Sequence, residues 1–335
     1  MTAQLILPAA APREDWLAAR RAGLGGSDAS TVVGLNPYMS QYSLWLDKTG
    51  RSVEKPDNDA MEWGRRLEPV IRDWFTDTTG VKTRRSGLLR SREVPFQQFT
   101  PDGLCDCGGV LETKTTSWRT QDAEVWLDGQ VPDHAELQSQ HGMAVTGKDH
   151  AHCVVLIDGR KPLHQVVQRD EKLIAELTDV ERTFWFDHVI ADVAPAIDGS
   201  DSTTEALKAR YGLAVDQVVS AGVEVDDLIS RRDRAKQRLK AVEDEVAELD
   251  NQLRAEFGPA TGLAVTGLVK ATYHQNGAFR SAKFAAEHPE LVDEYLTPTP
   301  VLDVARLKAE RPELWSAYRA RVLRVPKNPK PVKEI

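Results

Sequence analysis

Residues 100–115 read TPDGLCDCGGVLETKT, and the fold turns on how this stretch is read. Pro101 and Gly103 flank a turn at Asp102, and Val110 to Thr115 is strand-like. Glu112 and Lys114 stand two apart on that strand, so their side chains leave the same face, and the turn can bring Asp102 alongside. One carboxylate from a turn, one from a strand and a lysine beside them suit a hard divalent cation and a water that must lose a proton. Mg²⁺ takes oxygen ligands and keeps several waters, so Asp102, Glu112 and a backbone carbonyl such as that of Thr113 would suffice, with Mn²⁺ as the alternative ion. Lys114 would orient the water or share charge building on a phosphate. Alternation on a solvent-facing strand produces the same Glu and Lys pair without chemistry.

Glu68 bears on that choice. It lies beside a 3.6-period stripe of Trp63, Leu67, Val70, Ile71, Trp74 and Phe75 that ends at Gly80, and Pro69 directly after it can kink or restart the helix. Aimed into the cluster, it would complete a one- or two-metal site; otherwise it is a solvated helix-face glutamate. Upstream, Arg21 to Asp28 (RAGLGGSD) is glycine-rich and runs into a short helix from Ser27 to Gly34. Ser27 as its cap, the free N–H groups and Arg21 would make a phosphate site; the bland alternative is an ordinary N-cap after a loop.

Strand-like stretches at 94–100, 110–115, 152–157 and 163–168 alternate with helical segments at 134–145 and 171–190, which indicates a layered α/β core. The chain has 335 residues, more than one core of about 100 to 150 residues organises, so two units are expected. The linker-like APAIDGSDSTT (194–204) places the boundary near 200, giving units 1–200 and 201–335. In the second, Leu228, Ala235, Val242 and Leu249 repeat every seven residues with Leu239, Val246 and Leu253 as the second register, so a long heptad-bearing helix is expected, folded against its own domain or paired with another chain. Strand-like pieces at 263–274 and 278–284 and helices at 289–295 and 303–320 follow.

The 41% hydrophobic and 28% charged content excludes a disordered or collagen-like chain. No apolar run approaches the roughly 20 residues that span a bilayer, and Leu5 to Ala11 lacks the basic start of a signal peptide, so a cytoplasmic protein is expected. A net charge of −8 does not draw the whole molecule to polyanions. Local basic runs at Lys82 to Arg92 and Arg319 to Lys333 could track a phosphate backbone or be solvated faces. Cys105, Cys107 and Cys153 are an odd number without a CxxC pair and read as reduced thiols. His150 and His152 with Cys153 most resemble a zinc set, but the run reads as the start of a buried strand. Trp63, Trp74 and Trp185 lie on apolar helix faces and are expected in the core.

Taken together, RAGLGGSDASTVVGLNPY (21–38), SLWLDKTG (43–50), WGRRLEPVIRDWF (63–75), TPDG, ETK and ELQSQHGMAVTG (136–147) resemble, in order, the YqaJ-like viral recombinase family, which includes the lambda-type phage exonuclease within the PD-(D/E)XK nuclease superfamily. The resemblance covers roughly residues 15–190 and implies a central mixed sheet flanked by helices. It implies Asp102 and Glu112 as metal ligands, Lys114 as the catalytic lysine, Glu68 as the helix-borne carboxylate and Gln138 as a glutamine that positions the site. Arg21 and Ser27 resemble the pair that holds a 5′ phosphate, in a loop one residue shorter here, and Arg92 replaces a further acid. The residues beyond 200 resemble the C-terminal extension of longer relatives. The implied activity is Mg²⁺-dependent digestion of one strand of linear duplex DNA from its 5′ end, leaving a 3′ tail for recombination. Double-stranded DNA ends, a single-strand annealing protein and a ring of identical subunits are the implied partners. An endonuclease on the same core, or a non-catalytic DNA-binding recombination accessory, are the alternatives.

Overall fold

The structure is a computed structural model; it describes residues 3–53, 59–212, 217–266, 268–273 and 304–313, with the single positions 283, 286, 287 and 289. The chain divides into two compact units, Met1–Gly212 and Leu213–Ile335.

The first unit opens with β1 (Ala3–Leu7), α1 (Arg13–Arg21), α2 (Gly26–Val32), α3 (Gln41–Lys48) and α4 (Asp59–Thr79). Then come β2 (Thr83–Arg84), β3 (Leu88–Ser91), β4 (Gln98–Phe99), β5 (Gly103–Cys105) and β6 (Val110–Thr116). α5 (Gln121–Leu127) and α6 (Asp133–Thr146) carry the chain across to β7 (His150–Ile157) and β8 (Leu163–Gln168). α7 (Glu171–Thr183) continues as a π-helical stretch, Phe184–Ile190, and α8 (Asp201–Arg210) closes the unit.

Five strands form the central sheet in the order β2-β5-β6-β7-β8. Only β6 and β7 run parallel, which the helical crossover through α5 and α6 makes necessary. This is the layered α/β core that the alternating pattern leads one to expect, with the mixed sheet and flanking helices that the family resemblance implies. Alternation along β6 and β7 sorts residues between the faces. Val110, Ala151, Cys153 and Val155 join Phe99 and Met143 on the α6 side, while Leu111 and Val154 pack with Ile71 and Phe75 of α4 on the other. A Cβ at Gly26 would lie 3.0 Å from the Phe99 ring and one at Gly142 only 2.5 Å, so glycine at both positions lets α2 and α6 close on that ring.

Several expectations need correction. The single strand at 94–100 is a short β4 paired with β3, and β3 in turn pairs with β1, which includes Leu5. Trp63 and Val70 are 58% and 59% exposed, because α4 buries only the narrower stripe through Leu67, Ile71, Trp74 and Phe75; the Arg66 guanidinium lies 5.7 Å from the Trp63 ring centre instead. The first unit extends past 200 because α8 docks on it: Thr203 Oγ1 donates to Ser40 Oγ at 2.8 Å, and Ala206 and Leu207 pack against the Tyr42 and Trp45 cluster.

The second unit contains α9 (Glu224–Phe257), the hairpin β9 (Gly262–Val265) and β10 (Leu268–Thr272), and α10 (Val304–Glu310). α9 runs without a break through Arg232, with Leu228, Leu239, Val242, Val246, Leu249 and Leu253 exposed along it. A turn with Thr266 at positive φ divides what reads in sequence as one strand over 263–274. The expected strand at 278–284, the helix at 289–295, the rest of 303–320 and the basic C-terminal run lie largely or wholly outside the described residues.

Candidate active site

The β5–β6 hairpin sets the geometry. Asp102, in the turn entering β5, reaches across to β6, where its Oδ2 accepts hydrogen bonds from Thr113 N at 2.7 Å and Thr113 Oγ1 at 2.8 Å. Glu112 and Lys114 share the β6 face that looks toward α6. Lys114 Nζ donates to Glu112 Oε1 at 2.7 Å and to Gln138 Oε1 at 2.7 Å, and Gln138 Nε2 donates to the same Glu112 oxygen at 2.6 Å. The α6 glutamine therefore fixes both β6 side chains.

Glu112 is only 3% exposed, and its Oε2 is buried without a hydrogen-bond partner among the described residues. Such an orphaned acceptor costs about 1–3 kcal/mol, more when charged, unless something binds it. Burial, with the charges of Asp102 and Glu68 adding to it against Lys114, pushes the Glu112 carboxyl up to about 7. Asp102 is also raised by burial, although the Thr113 bonds and Lys114 oppose the shift. Burial works against the Lys114 cation, but Glu112 and Asp102 outweigh it and hold its pKa above the ordinary value.

Glu68 joins from α4. Arg72 Nη1, one helical turn on, lies 3.4 Å from Glu68 Oε1 and donates to the Asp102 carbonyl at 3.3 Å, tying α4 to the turn. Burial and then the charge of Asp102 raise the Glu68 pKa. Burial raises all three carboxylates, Asp102 adds to the shift of Glu68 and of Glu112, and with one oxygen unpartnered among the described residues they form a donor set that could hold a divalent cation.

The phosphate region differs from expectation in two respects. Gly25, not Ser27, is the N-cap of α2, and Asp28 Oδ2 accepts from its N–H at 2.8 Å. Ser27 lies inside the first turn, where its Oγ accepts from Arg20 Nη2 at 3.1 Å. Arg21 points elsewhere, with its Nε 3.8 Å from Asp47 Oδ1. The sequence carried a signal for this: Trp16 and Arg20 are four apart on α1 and so share a face, whereas Arg21 is rotated off it. Trp16, Arg20, Gly26, Ser27, Gln98 and Gln138 line a cleft of about 100 Å³, so the phosphate region and the carboxylate cluster share Gln138. The buried Gln98 amide there has neither Oε1 nor Nε2 hydrogen-bonded among the described residues.

Asp102, Glu112, Thr113, Lys114 and Gln138 are thus directly linked, Glu68 approaches from α4, and Ser27 lies across the cleft; Arg20 and Arg72 are the residues that sequence reading missed. Among the described residues no helix is long and apolar enough to cross a membrane.

Comparisons with known proteins bear on the family. Residues 15–149 match the sequence model of the YqaJ-like viral recombinase domain. Over 259 residues the chain is 34% identical to the uncharacterized protein YqaJ of Bacillus subtilis, covering 74% of this chain and 79% of that one. It is also 35% identical over 95 residues to a protein of African swine fever virus, 27% of each chain. Among solved structures, it is similar to the alkaline exonuclease LHK-Exo from Laribacter hongkongensis, with 26% identity, 54% of this chain and 94% of that one covered, and a TM-score of 0.46. The chain belongs to the YqaJ-like viral recombinase family.

Proposed function

We propose that the chain is a metal-dependent exodeoxyribonuclease of the PD-(D/E)XK type, which digests one strand of linear duplex DNA from its 5′ end and leaves a 3′ tail for recombination. The observation that carries this reading is the buried, unpartnered Glu112 Oε2, grouped with Asp102, Glu68 and Lys114. An all-oxygen donor set fits Mg²⁺ or Mn²⁺ rather than a softer ion. Asp102 and Glu112 would hold the ion, with Glu68 and the Thr113 carbonyl completing its protein ligands. Bound there, the cation lowers the pKa of a water and offsets charge on the scissile phosphate. Gln138 holds Lys114 at the Glu112 carboxylate, so that its ammonium stands ready to orient the attacking water or share the charge of the phosphate. The expected result is that linear duplex is digested with Mg²⁺ and not with chelator, while covalently closed duplex stays intact. Cutting of closed circles would favour an endonuclease, and inactivity with every divalent ion would favour a DNA-binding accessory.

The polarity would come from the cleft. Arg20 and Ser27 would grip a terminal 5′ phosphate, with the half-buried Trp16 beside them. A charge-assisted grip worth about 2 kcal/mol corresponds to roughly 30-fold. Wild-type protein should therefore digest 5′-phosphorylated ends about that much faster than 5′-hydroxyl ends. Arg20→Ala should abolish the preference and Arg21→Ala should leave it intact; the reverse result would return the role to Arg21.

The carboxylate cluster also makes stability depend on pH. Glu112 rises from 4.5 to about 7 on folding, so the folded chain holds a proton that the unfolded chain has released between those values. The corresponding stability, about 3 kcal/mol, is present below 4.5 and is lost as pH rises through about 7 in metal-free protein. Mg²⁺ should restore it only where Glu112 is ionised. The Tm gain from Mg²⁺ should accordingly be larger above pH 7 than below pH 6, and Glu112→Gln should remove the difference.

A further inference from the structure

At the far end of the β5–β6 hairpin from Glu112, a second cluster has a different chemistry. The Sγ atoms of Cys105 and Cys107 and a ring nitrogen of His152 lie within 4.8 Å of one another. Cys107 Sγ is 3.3 Å from His152 Nε2 and 3.4 Å from His150 Nε2. With Zn–S at about 2.3 Å and Zn–N at about 2.0 Å, the sulfur-to-nitrogen edge of a tetrahedron is roughly 3.5 Å, so both observed edges are within a few tenths of an ångström of it.

The topology accounts for the convergence. The parallel register sets Val110 beside Ala151, which brings the tip of the hairpin against the start of β7. Alternation then turns His150 and His152 to the α4 side of β7, where Cys105 also packs, and sends Cys153 to the opposite face, where its Sγ lies 3.2 Å from Ser139 Oγ. The thiols that meet the two histidines are therefore not the one beside them in sequence. Gly109 makes room for them, since a Cβ there would lie 2.5 Å from His150 Nε2.

The hydrogen bonds behind the rings supply an independent argument. His150 Nδ1 is bonded to the Asp149 carboxylate, which can only accept, so Nδ1 carries the hydrogen and Nε2, which faces Cys107, is the nitrogen left to ligate. His152 Nδ1 lies 3.0 Å from His164 Nε2, which can play the same accepting part for the second ring. A partner on the rear nitrogen is the arrangement that metal-ligating histidines use to fix the ring and its tautomer. Cys105, Cys107 and His152 converge, and His150 adjoins them through Cys107; two thiolates and two imidazoles drawn together about one ion would select Zn²⁺, whereas the all-oxygen cluster would not. Cys107 is exposed, so the ion can enter from solvent while Cys105 and His152 stay buried.

We propose that Cys105, Cys107, His150 and His152 form a structural Zn²⁺ site that pins the β5–β6 hairpin to β7. Binding exchanges the two thiol protons for the ion. Pinning the hairpin holds the register in which Asp102 meets Thr113 and Glu112.

The test uses the full chain, purified with reductant, stripped of metal and titrated with Co²⁺ and then Zn²⁺. A single Co²⁺ per chain should give the strong red-visible absorption of tetrahedral cobalt and a near-ultraviolet thiolate-to-cobalt band, both erased by Zn²⁺. Cys107→Ser combined with His150→Ala touches the exposed side of the cluster, and a normal far-ultraviolet spectrum would verify its fold. This double variant should lose the thiolate band and weaken Zn²⁺ binding by more than about 100-fold, the upper end of what removing a partner behind a ligand costs. Asp102→Ala should keep the cobalt spectrum, which separates this site from the carboxylate cluster. Absence of a thiolate band in wild-type protein, or a spectrum unchanged in the double variant, would overturn the proposal.

Discussion

Asp102→Ala is expected to lower the rate of linear duplex digestion by roughly three orders of magnitude, about 4 kcal/mol of transition-state stabilisation. The variant removes a ligand carboxylate and also the acceptor of both Thr113 hydrogen bonds, so it loses charge and hairpin geometry together. Asp102→Asn separates these losses, because its amide oxygen can still accept from Thr113. Both variants should be similarly inactive if the charge matters most, and only the alanine variant should lose stability measurably. Lys114→Ala should approach the same loss of rate without the same loss of cation affinity, since the amine lies on Glu112 Oε1 rather than on the unpartnered Oε2. A digestion rate within tenfold of wild type for Asp102→Ala in a folded, Mg²⁺-loaded protein would sink the nuclease reading.

How far the site could be read from sequence depended on where periodicity settles geometry. Glu112 and Lys114 are two apart on a strand, and the pleat alone puts them on one face, where α6 then sets Gln138 between them. Asp102 was legible because a Pro-x-Gly turn admits few conformations. Arg21 stands nearer the glycine-rich loop in sequence, but the four-residue step from Trp16 puts Arg20, not Arg21, on the face of α1 that meets the cleft. Arg72 carries no signal of its own, since an arginine one turn after a glutamate is common on any exposed helix. The same pleat that located Glu112 also separates Cys153 from His152, but the partner thiols lie more than 40 residues away and meet the histidines only through the β6–β7 register. Pairing of distant strands is the part that local pattern does not determine. The domain boundary moved for a related reason: a polar linker at 194–200 ends in α8, whose Thr203 and Leu207 find partners on α3.

The buried charges under the cleft should have the largest effect on stability. Lys48 Nζ lies 2.6 Å from Asp28 Oδ2, with side-chain exposures of 0% and 1%. The same carboxylate accepts from Gly25 N at 2.8 Å and pairs through Oδ1 with Arg20 Nη2 at 2.9 Å. Burial opposes the Asp28 charge, but Lys48 and Arg20 outweigh it and hold the pKa below the ordinary carboxylate range, while burial lowers that of Lys48. Removing one partner leaves the other buried with its charge under-compensated, so Lys48→Met should cost about 3–5 kcal/mol and lower Tm by roughly 10 °C. Replacing both, with Asp28→Leu added, should recover much of that stability, because a well-packed apolar pair is often no worse than a buried ion pair. It should not recover the 5′-phosphate preference, since Asp28 is also what holds Arg20 beside Ser27 and caps the turn that bears it. Thermal melting and the ratio of digestion rates on phosphorylated and hydroxyl ends, measured on the same three proteins, therefore separate the two roles. If the double variant kept the full preference, Asp28 would be serving stability alone, and Arg20 would have to be positioned by its contact with Trp16.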